Sequence, residues 1–504
     1  MALARQAYGW LMLGYLAVLP IAETIALRHL LMALLLGLLL FVSVQKRRQC
    51  NLQNARWLLR HFGLLALWCG FLLAYPLSAM EPNVAWKSLQ SEWLMAIAAW
   101  VLGIGGALWL RDKGPGLVAL GHASMVLVAI HLGLTLLAWS GLLGNNPPSV
   151  LSWPEIGNAL HARLFLGEAW HWQPFPWRFQ GFDPMHGNLG YTATQAVALM
   201  LAVLIGAWLG GMGKSMAYVG LAVALCFASV VVAMSRGAVL YSVLMLVVGA
   251  VVYRWRLSRD EGGAGKTSKE RGGVASLGAK VLGSLLLVIL LTTAWMSVQK
   301  DPRWGQMYDK VTASWMVDRP IEFLCEGVTP ALESRVRQRF SYLPGDRLDA
   351  VIDGLRGDGG RVLVMRAGLS LVAQHPLGLD GSRHSFKKLM WQACSHPPAL
   401  DFAHSHQGWI DLLLALGWAG GALYFALLAY LVGYGWKNLG SQNAQLWALA
   451  LLLLAMFWLL RGFTDAVYRE HTLLMQALVL GYLWGRIVLL TSSQPQLAST
   501  RNGA

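Results

Sequence analysis

Hydrophobic and polar positions fall in long blocks along this chain. Apolar runs close to the ~17–25 residues that cross a bilayer's hydrocarbon recur at 8–23, 28–44, 62–80, 93–110, 117–140, 188–210, 216–234, 238–253, 281–297, 408–433, 446–461 and 472–490. The pattern predicts an all-α integral membrane protein of about twelve transmembrane helices. Two sizeable polar segments, 141–187 and 298–407, interrupt the series on one side of the membrane. The larger has a helical periodicity of its own. Trp304, Tyr308, Val311 and Trp315 share one face and Val362, Met365, Leu369 and Val372 another, which predicts a helical cap. The expected organisation is nine membrane helices in 1–297, the cap in 298–407, three further helices in 408–490 and a tail at 491–504.

Composition strengthens the membrane reading. The 504 residues are 56% hydrophobic and only 13% charged, against about 25% charged in soluble chains, and the mean hydropathy is +0.50. Short loops holding Lys46-Arg47-Arg48, Arg111 with Lys113, Lys214, Arg254 with Arg256 and Arg259, and Lys437 all fall on one side when the N-terminus is cytoplasmic. An even helix count returns the C-terminus to that side. These loops account for much of the +15 net charge, so the basic balance does not point to nucleic acid. The first helix reads as an uncleaved anchor, since no A-x-A-type site precedes the second. Gly263-Ala264-Gly265-Lys266-Thr267 lacks the first glycine of a phosphate-binding loop and has no strand before it, which leaves a solvated linker.

Cys50, Cys69 and Cys226 lie in or near membrane helices and behave as small apolar residues. Cys325 and Cys394 lie in the cap segment, where a disulfide or two free thiols remain open; the third option is a zinc site of Cys394 with His396, His404 and His406, whose spacing matches no familiar tetrahedral pattern. Trp153, Trp170, Trp172 and Trp177 mark 141–187 as a segment lying at the headgroup interface, with Arg163 and Arg178 as lipid-phosphate contacts. His122 and His131 read as hydrogen-bond partners between helices.

Candidate chemistry collects at the rim. His404-Ser405-His406-Gln407 closes the cap segment just before an apolar run, with Gly417-Trp418-Ala419-Gly420 further down the same helix. Small residues there let a neighbouring helix pack closely and fix the histidine. An interfacial histidine that merely caps its helix is the plainer alternative. Ser235-Arg236-Gly237 interrupts the stretch 216–253. An arginine at mid-bilayer costs about 2.5–3.5 kcal/mol, so the chain turns there and Arg236 faces outward, toward an anionic substrate or a lipid phosphate. Arg361 opens a helix over 361–374 that ends at His375-Pro376-Leu377-Gly378. Its planar fork suits bidentate phosphate binding, and a surface arginine is the alternative.

Together these motifs resemble the O-antigen ligases, of the wider family of O-antigen polymerases and ligases in Gram-negative inner membranes. The ligase pattern of His, then Asn, Ser or Gln, nine residues and Gly-x-x-Gly is met by His406, Gln407, Gly417 and Gly420. The family's outer-turn arginine is met by Arg236. Its loop arginine before a His-Pro-Leu-Gly element is met by Arg361, with Arg366 as rival, and an acidic residue on the last outer turn by Asp465. The resemblance implies a GT-C-like fold that transfers glycan from undecaprenyl pyrophosphate to a sugar hydroxyl of lipid A–core at the periplasmic face, without metal, cofactor or nucleotide sugar.

The residue types fit that reaction. His406 is suited to act as general base, and Arg236 and Arg361 to stabilise departing pyrophosphate. Direct displacement inverts the anomeric centre. Asp465 orients the imidazole or neutralises an arginine, and His404 and Gln407 are supporting candidates. No Asp-x-Asp motif of the kind that holds hard divalent cations occurs in the outer segments. An O-antigen polymerase and a pilin oligosaccharyltransferase share this donor and differ in acceptor. A twelve-helix transporter is the non-enzyme alternative, disfavoured because the charges collect at the rim and not at the midplane.

Overall fold

The computed structural model describes residues 2–21, 23–46, 52–181, 186–209, 213–261, 292, 295–296, 298–299, 307–356, 360–468 and 470–492. Among these, the membrane part is built of α1 (Ala2–Val18), α2 (Ile25–Lys46), α3 (Leu52–Ala74), α4 (Pro82–Ser88), α5 (Leu94–Leu110), α6 (Leu117–Trp139), α8 (His186–Leu209), α9 (Gly213–Val232), α10 (Arg236–Glu261), α17 (Gly408–Asn438), α18 (Gln445–Arg461) and α19 (Glu470–Ser492). Among the described residues, seven helical stretches are long and apolar enough to cross a membrane, and three shorter apolar helices accompany them. The described structure is all-helical, as expected of a multi-pass membrane protein. The expected span 281–297 lies almost entirely outside the described residues, as do the linker motif at 263–267 and the tail beyond 492. The expected span at 93–110 starts earlier: α4 continues through a π-helical turn at Leu89–Trp93 into α5.

Close helix contacts are made at small residues. A Cβ on Gly103 of α5 would lie 2.3 Å from the Leu478 carbonyl oxygen of α19, and one on Gly485 would lie 2.8 Å from the Ala107 Cβ. Backbones meet along this seam, as small-residue spacing permits in membranes. At the end of the bundle away from the cap, cations close helices. The Arg486 guanidinium donates to the Arg111 carbonyl, Tyr482 donates to the Pro115 carbonyl at 3.0 Å, and Trp255 stacks on Trp436 with centroids 5.3 Å apart.

The cap consists of α11 (Met307–Trp315), α12 (Pro320–Glu326), α13 (Pro330–Arg339), α14 (Gly345–Gly354), α15 (Gly360–Gln374) and α16 (Ser385–Ala393). Its core of Leu324, Val336, Leu355, Leu363, Leu371 and Phe386 continues into Leu414 of α17. Cys325 and Cys394 are disulfide-bonded, with Cα atoms 5.6 Å apart and 69 residues between them in sequence. Closing a loop of that length stabilises the cap by about 4 kcal/mol in the chain-entropy account. This decides among the three states left open by the sequence.

The cap's buried faces differ from the predicted ones. In α15 the buried residues are Leu363, Val364, Ala367, Gly368, Leu371 and Val372, while Leu369 is exposed. In α11 small Ala313 and Ser314 face inward, and Tyr308 and Trp315 stay outside. Small residues let the neighbouring helix approach, which outweighed aromatic size; Trp304 lies outside the described residues.

Segment 141–181 lies on the same side as the cap. It carries α7 (Trp153–Leu164), started by a Ser152/Glu155 capping box, and leaves Trp170 and Trp172 exposed. His131 ties it down. Its Nε2 meets the Phe179 carbonyl at 2.9 Å and its Nδ1 the Ser229 hydroxyl at 2.8 Å.

Candidate active site

The segment entering α17 is a tightly bonded turn. The Ser405 N–H donates to Asp411 Oδ1 at 2.9 Å, and the Ser405 hydroxyl donates to the Gln407 carbonyl at 2.9 Å. Gln407, the N-cap residue, donates its own N–H to that hydroxyl at 3.2 Å. His406 is thereby held at φ 56°, a left-handed conformation uncommon for a residue with a side chain. Its N–H donates to His404 Nδ1 at 3.1 Å. As an acceptor there, neutral His404 carries its proton on Nε2. The two imidazoles meet edge to face at 4.3 Å, and the Phe402 ring lies 5.7 Å from His406.

Gly417 does something different from the expected helix packing. With φ 71° it breaks α17. A Cβ there would lie 2.5 Å from the Leu377 carbonyl carbon, and one on Gly378 would lie 2.3 Å from the Gly417 nitrogen. The two glycines let the His375-Pro376-Leu377-Gly378 element run through the break. Carbonyls freed by the break then find donors: Leu379 N–H on Leu414 at 2.8 Å, Gly381 N–H on Ala415 at 2.9 Å, and the Tyr75 hydroxyl on Ala415 at 2.5 Å. The Trp418 N–H donates to Pro376 at 2.9 Å. A Cβ on Gly420 would lie 2.6 Å from the Phe71 ring of α3.

Asp380 fastens the same element. It is fully buried and accepts from the Ser382 N–H at 2.9 Å, from the Ser385 hydroxyl at 2.6 Å, and from Lys388, which also reaches Glu81 at 3.3 Å. Burial alone would raise its pKa, but Lys388 and the hydroxyls outweigh it and hold the carboxyl below its ordinary range.

The two loop arginines separate clearly. Arg366 Nη1 donates to the carbonyls of Ser314 and Val317 at 3.0 and 2.8 Å, and the guanidinium covers Trp315 at 4.9 Å. It is a staple within the cap. Arg361 is exposed at the start of α15, next to Gly360, whose Cβ position lies 3.6 Å from Phe402. That brings the head of α15 beside the His406 turn, and the Arg361 charge acts on Asp465.

Asp465 lies on the turn between α18 and α19, and its backbone carbonyl accepts from the Gly408 N–H at 2.9 Å. Its carboxylate pairs with Arg461 at 2.9 Å. Burial would raise its pKa; Arg461 foremost, then the Tyr191 hydroxyl, hold it below the ordinary carboxylate range. Sequence reasoning missed Arg461, which sits where a cation ordinarily closes a helix C-terminus. It is only 5% exposed. Its guanidinium lies 5.1 Å from the Tyr191 ring and 5.4 Å from the Tyr241 ring. A Cβ on Gly237 would sit 1.7 Å from Nη1, so the glycine beside Arg236 leaves room for this guanidinium.

Arg236 itself begins α10 and is half-buried. The turn before it holds Met234 at φ 49°, and exposed Arg178, at φ 69°, donates its N–H to Val232 at 2.9 Å and its Nε to Met234 Sδ at 3.4 Å. Three elements far apart in sequence thus meet at one place: the 233–237 turn, the head of α15, and the 404–408 turn bonded to 462–465.

Residues 221–425 match the family model described as O-antigen ligase. This segment is an O-antigen ligase family domain. No curated protein matches the chain. That family is one of glycosyl-transfer enzymes of O-antigen ligase or polymerase type, and the chain is similar to it over this segment. The ligase-family segment contains Arg236, Arg361, Arg366, His404, His406, Gln407, Gly417 and Gly420, whereas Arg461 and Asp465 lie beyond it. Among the described residues no group of three or more His, Cys, Asp or Glu side chains converges as a metal site. A separate cavity of about 250 Å³ opens in the cap between α12 and α13. Four of the charges lining it form two pairs, Arg335 with Asp318 at 3.0 Å and Arg319 with Glu322 at 3.2 Å.

Proposed function

We propose that the protein is an O-antigen ligase of the Gram-negative inner membrane. It takes glycan from undecaprenyl pyrophosphate and joins it to a sugar hydroxyl of lipid A–core at the periplasmic face, with both termini cytoplasmic. The observation that carries this reading is the meeting of a strained histidine turn with two arginine-bearing elements on the cap side of the bundle.

In the proposed step the acceptor oxygen forms a bond to the anomeric carbon while the bond from that carbon to pyrophosphate breaks. The hydroxyl proton passes to the His406 imidazole, and the electron pair leaves with undecaprenyl pyrophosphate. Arg236 and Arg361 receive the charge that develops on the leaving group, an electrostatic task for fixed donors. One-step displacement inverts the anomeric centre. His404 and Gln407 hold the turn, and Asp465 balances Arg361. With arginines as the countercharge, no divalent metal or other cofactor takes part.

The test is reconstitution of purified protein with a defined polyprenyl-pyrophosphate glycan and lipid A–core. Glycan on lipid A–core is expected. Lengthened polyprenyl-linked glycan would instead make the protein a polymerase, and no product with either acceptor would reject the reading.

A further inference from the structure

Arg461 carries a role that the proposed step does not assign. It is an almost fully buried cation at the end of a membrane helix, a placement costly unless the charge is matched. Four independent features match it: the Asp465 carboxylate at 2.9 Å, the faces of Tyr191 and Tyr241, and a seat against Gly237 that any side chain would fill. The Tyr241 hydroxyl in turn bonds the Leu460 carbonyl and the Thr464 hydroxyl, each at 2.9 Å. Both ends of the Arg461–Asp465 pair therefore touch candidate-site elements. Arg461 lies on the Arg236 turn through Gly237, and Asp465 supports the His406 turn through Gly408.

We infer that Arg461 is a positioning residue: seated on Gly237 between Tyr191 and Tyr241, it holds the Asp465 carboxylate charged and in place, and so locks the Arg236 turn, Arg361 and the His406 turn into one geometry. The inference rests on the glycosyl-transfer reading for its consequence in activity. The ion pair itself is tested independently of that reading. A cap that only closed the α18 carbonyls would need neither a glycine seat nor two tyrosine faces.

The groups facing Asp465 are Arg461 from the end of α18, Tyr191 from α8 and Arg361 from α15; Tyr241 from α10 faces Arg461. Removing Arg461 takes the nearest positive charge from half-buried Asp465 and leaves Arg361 acting on it from farther off, so the carboxylate takes up a proton at higher pH than before. The ionised, functional form is then recovered as pH rises.

The experiment compares full-length wild type, Arg461→Gln, Arg461→Lys and Asp465→Asn in lipid vesicles. Transfer from a synthetic polyprenyl-pyrophosphate glycan is read as each variant's rate divided by the wild-type rate, which cancels titration common to both. For Arg461→Gln the ratio is expected to rise roughly tenfold between about pH 6 and about pH 8, and for Arg461→Lys, which keeps the charge, to stay flat. Infrared difference spectra against Asp465→Asn report protonation without any substrate. At about pH 6 wild type shows no carboxylic-acid band from Asp465, whereas Arg461→Gln shows one that Arg461→Gln/Asp465→Asn lacks. An acid band in wild type, or a flat ratio without the band in Arg461→Gln, overturns the inference. Should Arg461→Gln fail to fold, the wild-type spectrum and the Arg461→Lys ratio still decide it. Absence of any glycan product from wild type would reject the functional reading instead.

Discussion

The two ends of the helical bundle are built on opposite principles. Away from the cap, charges finish helices: Arg486 donates to the Arg111 carbonyl and faces exposed Asp112 at 4.0 Å. Among the described residues there, Arg111 alone of the non-glycine residues has a positive φ, 47°. On the cap side buried Arg461 pairs with half-buried Asp465, α17 breaks at Gly417, and five of the six described non-glycine residues with positive φ occur there: Glu23, Asn146, Arg178, Met234 and His406. Strain and buried charge persist only where the surroundings over-determine them, and they collect at sites of chemistry. A bundle whose only task was to span a membrane would need neither.

The comparison breaks if changes at the cap end cost stability alone. The largest expected effect is that of His406→Ala, a loss of transfer of about a thousandfold, with thermal unfolding and membrane level near wild type. Full transfer at matched protein level would remove the base assignment. Arg236→Lys and Arg361→Lys should each lose about a hundredfold, because an ammonium does not reproduce a bidentate fork; unaltered kcat/KM for donor would reduce them to lipid anchors.

The glycines sharpen the contrast within one helix. Gly417→Ala places a methyl against the Leu377 backbone at a left-handed φ and should destabilise by about 1–3 kcal/mol, read as a lower unfolding midpoint together with a lower rate. Gly420→Ala meets the Leu416 and Phe71 side chains, which can shift, and should cost less. At the far end, Arg486→Gln should lower the unfolding temperature and leave the transfer rate of folded protein within about twofold. The smallest effect is expected from excess EDTA with metal-stripped substrates, which should leave the rate unchanged; loss restored by Mg²⁺ or Mn²⁺ would overturn the arginine clamp.

Much of this contrast was legible in the sequence, for reasons that also explain what was not. The membrane helices follow from the length of apolar runs, and Ser235-Arg236-Gly237 had to be a turn because an arginine is costly at mid-bilayer. His406 stood out because a polar segment closes there. The spacing to Gly417 was legible while its use was not: the break becomes visible only when the His375–Gly378 element is seen to supply donors for the freed carbonyls. Arg361 and Arg366 look alike in sequence, and the carbonyls of Ser314 and Val317, about fifty residues away in the chain, separate them. Arg461 was passed over because a cation at a helix end is ordinary. Its partners Gly237, Tyr191 and Tyr241 come from two other helices. The cap's faces differ from the predicted ones because periodicity groups residues on a face without saying which face is covered: α15 buries Leu363, Val364, Leu371 and Val372, and α11 buries Ala313 and Ser314.

The central claim is that the cap-side cluster is where the donor's pyrophosphate and anomeric carbon sit. It is tested most directly by a polyprenyl-pyrophosphate glycan carrying a photoreactive group beside the anomeric carbon, crosslinked to the purified protein in vesicles and mapped by peptide mass spectrometry. The account predicts label on peptides containing Arg236, Arg361 or His406, competed by unlabelled donor. Label confined to the far end of the bundle, or to the cap cavity around Asp318 and Arg335, would contradict it.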